Sequence, residues 1–360
     1  MSSFERWFEC DAEASASAPG RVNLLGEHTD YNQGLVLPVA IAQRAVVHIA
    51  RARDGLNRFH SVQLDTEARR SAGDEPTTNY ARYMRGCIEV LREAGHTVPA
   101  VWASVDSDVP IGAGLSSSAA LEVAMLRALR VLFDIAITDV EIAQFAQKAE
   151  NEYAGVNCGI LDQMASSLAT TDRMLYLDTR SLERRLLPMP EDAEVLVMQS
   201  GVSRSLAASG YNERRADCER AAALLGLTSL RDMAALPPPG TLPAPLFKRV
   251  RHVFTENARV SRASTVATAR EFGQLMNESH ASLRFDYEVS TDVLDELIAR
   301  LQADPDVHGA KLTGAGFGGA CVALVRKTTG EAVASRVRSA LGAGRPESDS
   351  TRQHPNRVPR

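Results

Sequence analysis

Three kinds of residue in this chain could do chemistry by their type and spacing: a crowded set of hydrogen-bonding side chains, two isolated acids, and two glycine-dense turns. The first set is Arg21, Asn23, Glu27, His28, Asp30, Asn32 and Gln33, packed into PGRVNLLGEHTDYNQG between Pro19 and Gly34. Taken alone, it is a crowded polar loop. The second set is Glu150 and Asp162 in AENEYAGVNCGILDQ. One such acid can hold a hard Mg²⁺ ion through oxygen, and the other can accept a hydrogen bond or proton from a hydroxyl. Taken alone, Glu150 reads as a solvated acid at a helix end.

The glycine-dense turns are PIGAGLSSSAA, Pro110 to Ala120, and KLTGAGFGGA, Lys311 to Ala320. In the first, glycines let the backbone approach a ligand, and the helix that follows offers free N–H groups at its positive end. Together these suit an anion, phosphate above all, although a glycine turn with a serine cap is the plainer reading of the loop by itself. Neither a Walker loop nor a dinucleotide fingerprint is present, because GxxxxGK[ST] is absent and Ser117 stands where GxGxxG needs its third glycine. Without a loop lysine, a transferred phosphate would be neutralised by backbone amides, Mg²⁺ and an arginine, for which Arg21 is a candidate. The second turn alone shows only a tight backbone.

Elements able to position these residues are visible in the periodicity. Gly34 to Ala52 reads as a pair of strands and Trp102 to Val109 as another. Leu121, Met125, Leu126, Leu129 and Leu132 fall at helical spacing within Ser116–Phe133. Thr138 followed by Glu141 is a capping box opening a helix that ends before Gly155. Met174–Asp178, Glu194–Gln199 and Cys321–Arg326 are strand candidates, and Asn212–Leu225 and Val289–Gln302 are amphipathic helices. Pro237–Gly240 marks a rigid loop, and the mixture places the chain in the α+β or α/β class.

Length and charge narrow the partners. A chain of 360 residues exceeds what one core usually serves, so two lobes are expected. A net charge of −5 offers no basic surface for nucleic acid, so small molecules are the expected ligands. The five cysteines are odd in number and never arranged as CxxC, which indicates neither a disulfide framework nor a zinc site and fits a reducing cytoplasm. No apolar run approaches the ~20 residues of a membrane span, and the first dozen residues carry acids without an apolar core, so a cytoplasmic protein is expected, neither exported nor membrane-bound.

In their order and spacing the four stretches resemble the GHMP small-molecule kinases, and within them the branch that phosphorylates galactose. MNESHASLRFDYEVS, Met276 to Ser290, resembles a further segment of that branch, and the likeness runs from about Ala18 to about Arg326. The resemblance implies ATP-dependent phosphorylation of the C1 hydroxyl of α-D-galactose by a monomer with Mg²⁺. It implies an α+β, two-lobed GHMP kinase fold: an N-terminal lobe of mixed sheet and helices over 1–190, a ferredoxin-like C-terminal lobe over 191–341, and a disordered tail over 342–360.

By position in those motifs, the resemblance makes Asp162 the catalytic aspartate and Arg21 the catalytic arginine, and makes Ser118 and Glu150 the Mg²⁺ ligands. It assigns ATP to Gly112, Ala113, Gly114, Leu115, Ser116, Ser117, Ser118 and Ala119, with Tyr80 near the adenine or else a plain core aromatic. It assigns the sugar to Glu27, His28, Asp30, Gly159, Asp162 and Tyr211. Acids suit a sugar because each carboxylate accepts from two vicinal hydroxyls, and a hydroxyl left unpartnered in a desolvated site costs ~1–3 kcal/mol. His28 on its own would read as structural; between two acids it reads as a ligand contact.

The chain departs from that pattern at Phe285, where an acid is usual, and at Thr291 and Ala320, where cysteines are usual. It also ends in RPESDSTRQHPNRVPR, where a further structured segment is expected. Two other readings stay open at this stage: a GHMP kinase for another sugar such as N-acetylgalactosamine, arabinose or a uronic acid, and a non-catalytic sugar and ATP sensor.

Overall fold

The structure, a computed structural model, describes residues 3–70, 79–202, 207–266, 268–341 and 351–352. In chain order its elements are α1 (Ser3–Phe8), β1 (Ala14–Asn23), β2 (Leu35–Val36), β3 (Pro38–Arg51), β4 (Asn57–Ser61), β5 (Thr66–Arg70), α2 (Asn79–Glu93), β6 (Val101–Ser107), α3 (Ser117–Phe133), α4 (Asp139–Ala149) and α5 (Leu161–Leu168). They continue with β7 (Arg173–Asp178), β8 (Arg184–Pro188), β9 (Ala193–Gln199), α6 (Ala207–Leu224), α7 (Ala244–Ala263), α8 (Ala269–Phe285), α9 (Asp292–Ala303), β10 (Val307–Thr313), β11 (Ala320–Arg326), α10 (Gly330–Leu341) and the short β12 (Thr351–Arg352).

Two compact units interleave along the chain. Unit 1 comprises Met1–Arg21, Gln43–Ile111 and Ser116–Leu168; unit 2 comprises Val22–Ala42, Gly112–Leu115 and Ala169–Arg360. The chain passes from one to the other inside β1 and inside β3, so β1 gives Arg21 to the first unit and Asn23 to the second.

The strands of unit 1 form a five-stranded sheet in the order β1-β3-β6-β4-β5, mixed because β4 runs parallel to β6 while β3 pairs antiparallel with β6 and β5 with β4. Helices α2, α3, α4 and α5 pack together, with α3 against β6 and α2 against β4. Leu121, Met125, Leu126, Leu129 and Leu132 are buried along α3 as their spacing implies. The capping box at Thr138 forms, the Glu141 amide donating to Thr138 Oγ1 at 3.2 Å and the Thr138 amide to Glu141 Oε2 at 2.7 Å. The regular helix stops at Ala149, four residues short of the expected end at Tyr153, and Glu150–Ala154 open into a π-helical turn closed by Gly155. The wider turn re-aims Glu150 relative to the helix it follows.

Unit 2 holds an antiparallel sheet in the order β10-β11-β9-β12 and a three-stranded antiparallel sheet β2-β7-β8. Helices α8 and α9 cover β10, and α10 packs on β9. Its core is built from Leu196, Met198, Leu283, Tyr287, Leu294, Leu297, Leu312 and Cys321, among others. Helix α8 approaches β10 so closely that a Cβ added at Gly273 would stand 2.2 Å from the His308 carbonyl, so only glycine fits at that crossing. Most of the expected disordered tail falls outside the described residues; Thr351 and Arg352 within it pair with Val197 and Leu196 of β9.

Candidate active site

In unit 1 a carboxylate, a guanidinium and a hydroxyl converge. Asp162 lies in the first turn of α5 and Arg21 on β1. Arg21 Nε donates to Asp162 Oδ1 at 2.7 Å, and its terminal Nη2 pairs with the same oxygen. Ser116 Oγ donates to Asp162 Oδ2 at 2.5 Å. The Arg21 side chain is 6 % exposed and that of Asp162 30 %, so the cation is sequestered while the carboxylate keeps an open side. A charge-assisted pair of this kind fixes the direction in which the carboxylate points.

Ser116 owes its place to a strained turn. Gly112, Gly114 and Ser116 adopt φ of 75°, 84° and 60°, left-handed at every second residue, the kind of backbone that builds anion-binding concavities. Ser116 precedes α3 without capping it through its side chain, because its hydroxyl is given to Asp162. The first amides of α3, from Ser117 to Ala119, therefore start the helix without a side-chain cap and with the positive end of its dipole.

Behind this lies a buried acid cluster. Gln163 Nε2 donates to Glu150 Oε2 at 2.6 Å, and the Ser118 hydroxyl and the Cys158 thiol also hydrogen-bond to Glu150. Burial, and next the charge of Asp162, push the Glu150 carboxyl up to about 7. Glu122 of α3 is fully buried, with its carboxyl hydrogen-bonded to Glu150 and Gln163. Burial first, then the adjacent Glu150, raise it well above the usual carboxylate range. Glu122 escaped the sequence reading because it sits inside an apolar helical stripe; only its being an acid there marked it. Among the described residues, no group of three or more His, Cys, Asp or Glu side chains is arranged to hold a metal ion. Tyr80 of α2 is buried, with its hydroxyl donating to the carbonyls of Phe59 and Thr66 at 3.0 and 2.8 Å, and Gly159 is buried in the turn before α5.

A second cluster lies in unit 2. Glu27 is buried and ionically paired with Lys311 of β10, a fully buried lysine, at 3.2 Å. Glu27 Oε1 also accepts the Gly314 amide at 2.6 Å, and Oε2 accepts from Asn23 Nδ2. Lys311 donates to the Asn23 carbonyl at 3.2 Å, and the Asn23 amide donates to Thr313 Oγ1 at 3.0 Å. Thus the two glycine- and polar-rich stretches of the sequence are bolted together through Glu27. Lys311→Met should cost about 3–5 kcal/mol in urea denaturation, because Glu27 stays buried without its cation. The double variant Glu27→Gln/Lys311→Met should regain most of that loss, since the uncompensated charge is gone; equal loss in both would refute the pairing's role.

His28 follows at φ 61°, a left-handed residue in the same loop. Its Nε2 faces the Ala315 carbonyl at 3.2 Å, so Nε2 carries the proton and Nδ1 accepts from the Tyr31 hydroxyl at 2.8 Å. Tyr31 in turn meets the Tyr287 hydroxyl at 2.7 Å, which meets Cys218 Sγ at 3.1 Å. Burial, and next the neighbouring His252, lower the His28 pKa to about 3, so the ring is neutral at ordinary pH. Tyr211 of α6 is half-buried against the His28 and Tyr31 rings, with centroids 5.6 and 5.2 Å away. Asp30 opens the short 3-10 turn Asp30–Asn32, where it is partly exposed. Tyr31, Tyr287 and Lys311 were not singled out by sequence reasoning, since their roles come from contacts hundreds of residues apart.

The chain is similar to known kinases over most of its length. The chain matches the family models "GHMP kinases N terminal domain" over residues 82–170, "GHMP kinases C terminal" over 264–343 and "Galactokinase galactose-binding signature" over 2–51. Fold and site thus define a GHMP kinase. Mevalonate kinase of Methanococcus jannaschii shares that fold at TM-score 0.69 and 17% identity, covering 94% of this chain and 96% of that one. The galactokinase of Roseiflexus sp. (strain RS-1) is 43% identical over 342 residues, 91% of this chain and 87% of that protein. The crystal structure of Lactococcus lactis galactokinase complexed with galactose superposes with TM-score 0.89 at 31% identity, covering 97% and 95% of the two chains. This chain belongs to the galactokinase family and is an ATP-dependent sugar kinase. Among its described residues no helix is long and apolar enough to cross a membrane.

Proposed function

We propose that this chain transfers the γ-phosphate of ATP to the C1 hydroxyl of α-D-galactose, giving galactose 1-phosphate and ADP. The observation that carries the reading is the Arg21–Asp162–Ser116 cluster, a fixed carboxylate beside a sequestered guanidinium. Asp162 accepts the hydrogen of the attacking hydroxyl and orients its oxygen. A loose phosphoryl-transfer transition state demands little deprotonation before bond cleavage, so orientation alone is a large part of the task. Arg21 orients Asp162 and neutralises charge on the transferring phosphoryl group. Gly112, Ala113, Gly114, Leu115, Ser116, Ser117, Ser118 and Ala119 cradle the ATP phosphates through backbone amides. Tyr80, assigned to the adenine side, is buried with its hydroxyl given to the Phe59 and Thr66 carbonyls. Glu27, His28, Asp30, Gly159 and Tyr211 hold the sugar.

The donor set suits Mg²⁺: Glu150 and Ser118 are hard oxygen ligands, and the buried acid Glu122 lies beside them. Bound there with the nucleotide, Mg²⁺ supplies neutralisation of phosphate charge. The reading keeps lobes at 1–190 and 191–341, a monomer in the cytoplasm, and neither nucleic acid nor membrane as partner. The presence of Arg21, Asp162 and Ser118 to Ala120 in the sequence supports an enzyme over a sensor.

A coupled ADP-release assay with Mg·ATP tests the function. Turnover should be far faster with galactose than with glucose, N-acetylgalactosamine or arabinose. Well-folded protein that turns over none of these, or prefers another of them, would remove the assignment.

A further inference from the structure

Helix α7 presents one polar face to the loop that carries Glu27, His28 and Asp30. Glu256 is fully buried, and its Oε1 accepts the Gly26 amide at 2.8 Å and the Ser279 hydroxyl at 2.7 Å. Arg259 Nε donates to its Oε2 at 2.7 Å. One turn earlier, His252 Nε2 meets the Glu27 carbonyl at 3.0 Å while its Nδ1 meets Ser282 Oγ at 2.9 Å. At the far end of the loop, Asn257 Oδ1 accepts the Leu35 amide at 2.7 Å.

Burying a carboxylate is costly unless it is paired and fully hydrogen-bonded, and Glu256 meets that condition with three donors. What the expense secures is local and directional. Glu256 holds the N–H of Gly26, and His252 holds the C=O of the next residue, so the backbone leading into the Glu27 side chain is gripped on both sides. Gly26 itself sits at φ +95°, and a Cβ there would lie 2.4 Å from the Leu35 carbonyl oxygen, so the loop has no alternative side-chain-bearing conformation to relax into.

We propose that Glu256 and His252 are positioning residues for sugar recognition: α7 fixes the backbone of Gly26 and Glu27, and through it the direction in which the loop presents its carboxylates and His28. The proposal rests on the assignment of that loop to the sugar. Neither residue touches the substrate; they act through the loop backbone. Misplacement of a recognition group by ~1 Å can cost about 10²-fold, so the effect is to be sought in galactose binding.

The test compares wild type, Glu256→Gln, Glu256→Ala, Asn257→Ala and Glu27→Gln, with Glu194→Gln as a stability control. Glu194 is also buried and accepts a glycine amide, that of Gly330 at 2.6 Å, at the start of α10. Expected are a galactose KM raised by about 10-fold to 10²-fold in the Glu256 variants, an unchanged ATP KM, and a smaller rise of the same kind in Asn257→Ala. Glu194→Gln should lose melting temperature with neither KM moved. Should Glu256→Ala fail to fold, Glu256→Gln and Asn257→Ala carry the same comparison. A galactose KM unchanged in folded Glu256 and Asn257 variants overturns the proposal, as does a parallel rise in both KM values. Absence of galactose turnover in wild type would instead overturn the proposed function, and an unmoved galactose KM in Glu27→Gln would overturn the loop assignment and the inference with it.

Discussion

Asp162→Asn is expected to lower kcat by about 10²–10⁴-fold while galactose still binds. The substitution preserves shape and removes charge. Oδ1 now serves Arg21, through Nε at 2.7 Å and through the terminal nitrogen, and Oδ2 takes the Ser116 hydroxyl. Asparagine can satisfy only one of these two oxygen positions as an acceptor, because its second position is an amide donor. Either Arg21 faces an N–H, or Ser116 must turn its hydroxyl to accept, and the attacking hydroxyl loses an anionic partner in both cases. Arg21, buried at 6 % side-chain exposure, loses the charge of Asp162, so a lower melting temperature should accompany the kinetic loss. Isothermal calorimetry should show galactose binding retained, since Glu27, His28, Asp30 and Tyr211 are untouched. Wild-type kcat in this variant would remove Asp162 from the chemistry; loss of sugar binding with unchanged kcat at saturation would make it a binding residue only.

How much of this was readable beforehand follows from the range of the interactions. Helix α3 announces itself through leucines and a methionine at helical spacing, and α4 through its capping box, because both signals lie within a few residues of one another. The sugar loop and glycine turns were legible as motifs, since polar crowding and left-handed backbone are written locally. Helix α7 was not, for a physical reason: its buried face includes Arg249, His252, Glu256 and Arg259, so the apolar stripe that marks a buried helix is broken by polar and charged side chains. The same holds for the Tyr31–Tyr287 contact and for Lys311, which reads as part of a glycine-dense turn until Glu27 is seen against it. The π-helical turn at Glu150 is also silent in the sequence, because the capping pattern fixes where α4 starts and leaves open how its last turn widens.

Acid should act on the two units in opposite senses. In unit 2, His28 is lowered to about 3, and His252 and His280 each to about 4, burial being the first cause in every case. The Glu256 charge works against this at His252, and Asp295 at His280, without reversing it. A histidine kept neutral in the folded state but protonated in the unfolded chain below its ordinary pKa binds more protons when unfolded. Stability therefore falls as pH drops through the window between about 6.5 and the folded value, by about 1.4 kcal/mol per pH unit for each histidine. Three such groups at pH 5 remove roughly 6 kcal/mol, comparable with the whole stability of many domains. Glu256, lowered to about 2, keeps its charge throughout this window and offsets nothing. In unit 1 burial lowers His60 as well, but the raised carboxyls of Glu150 and Glu122 outweigh it and the sign reverses. Glu150, raised to about 7, is protonated in the fold while its unfolded counterpart is ionised, so acidification from 7 towards 4.5 favours the folded state there. Hydrogen exchange corrected for intrinsic rates should show protection in α7 and α8 falling between pH 7 and 5, while α3 and α5 hold theirs. His280→Asn should flatten the unit 2 slope by about one histidine's share, and equal loss in both units, or none in α7 and α8, would refute the assignment of acid sensitivity to the buried histidines.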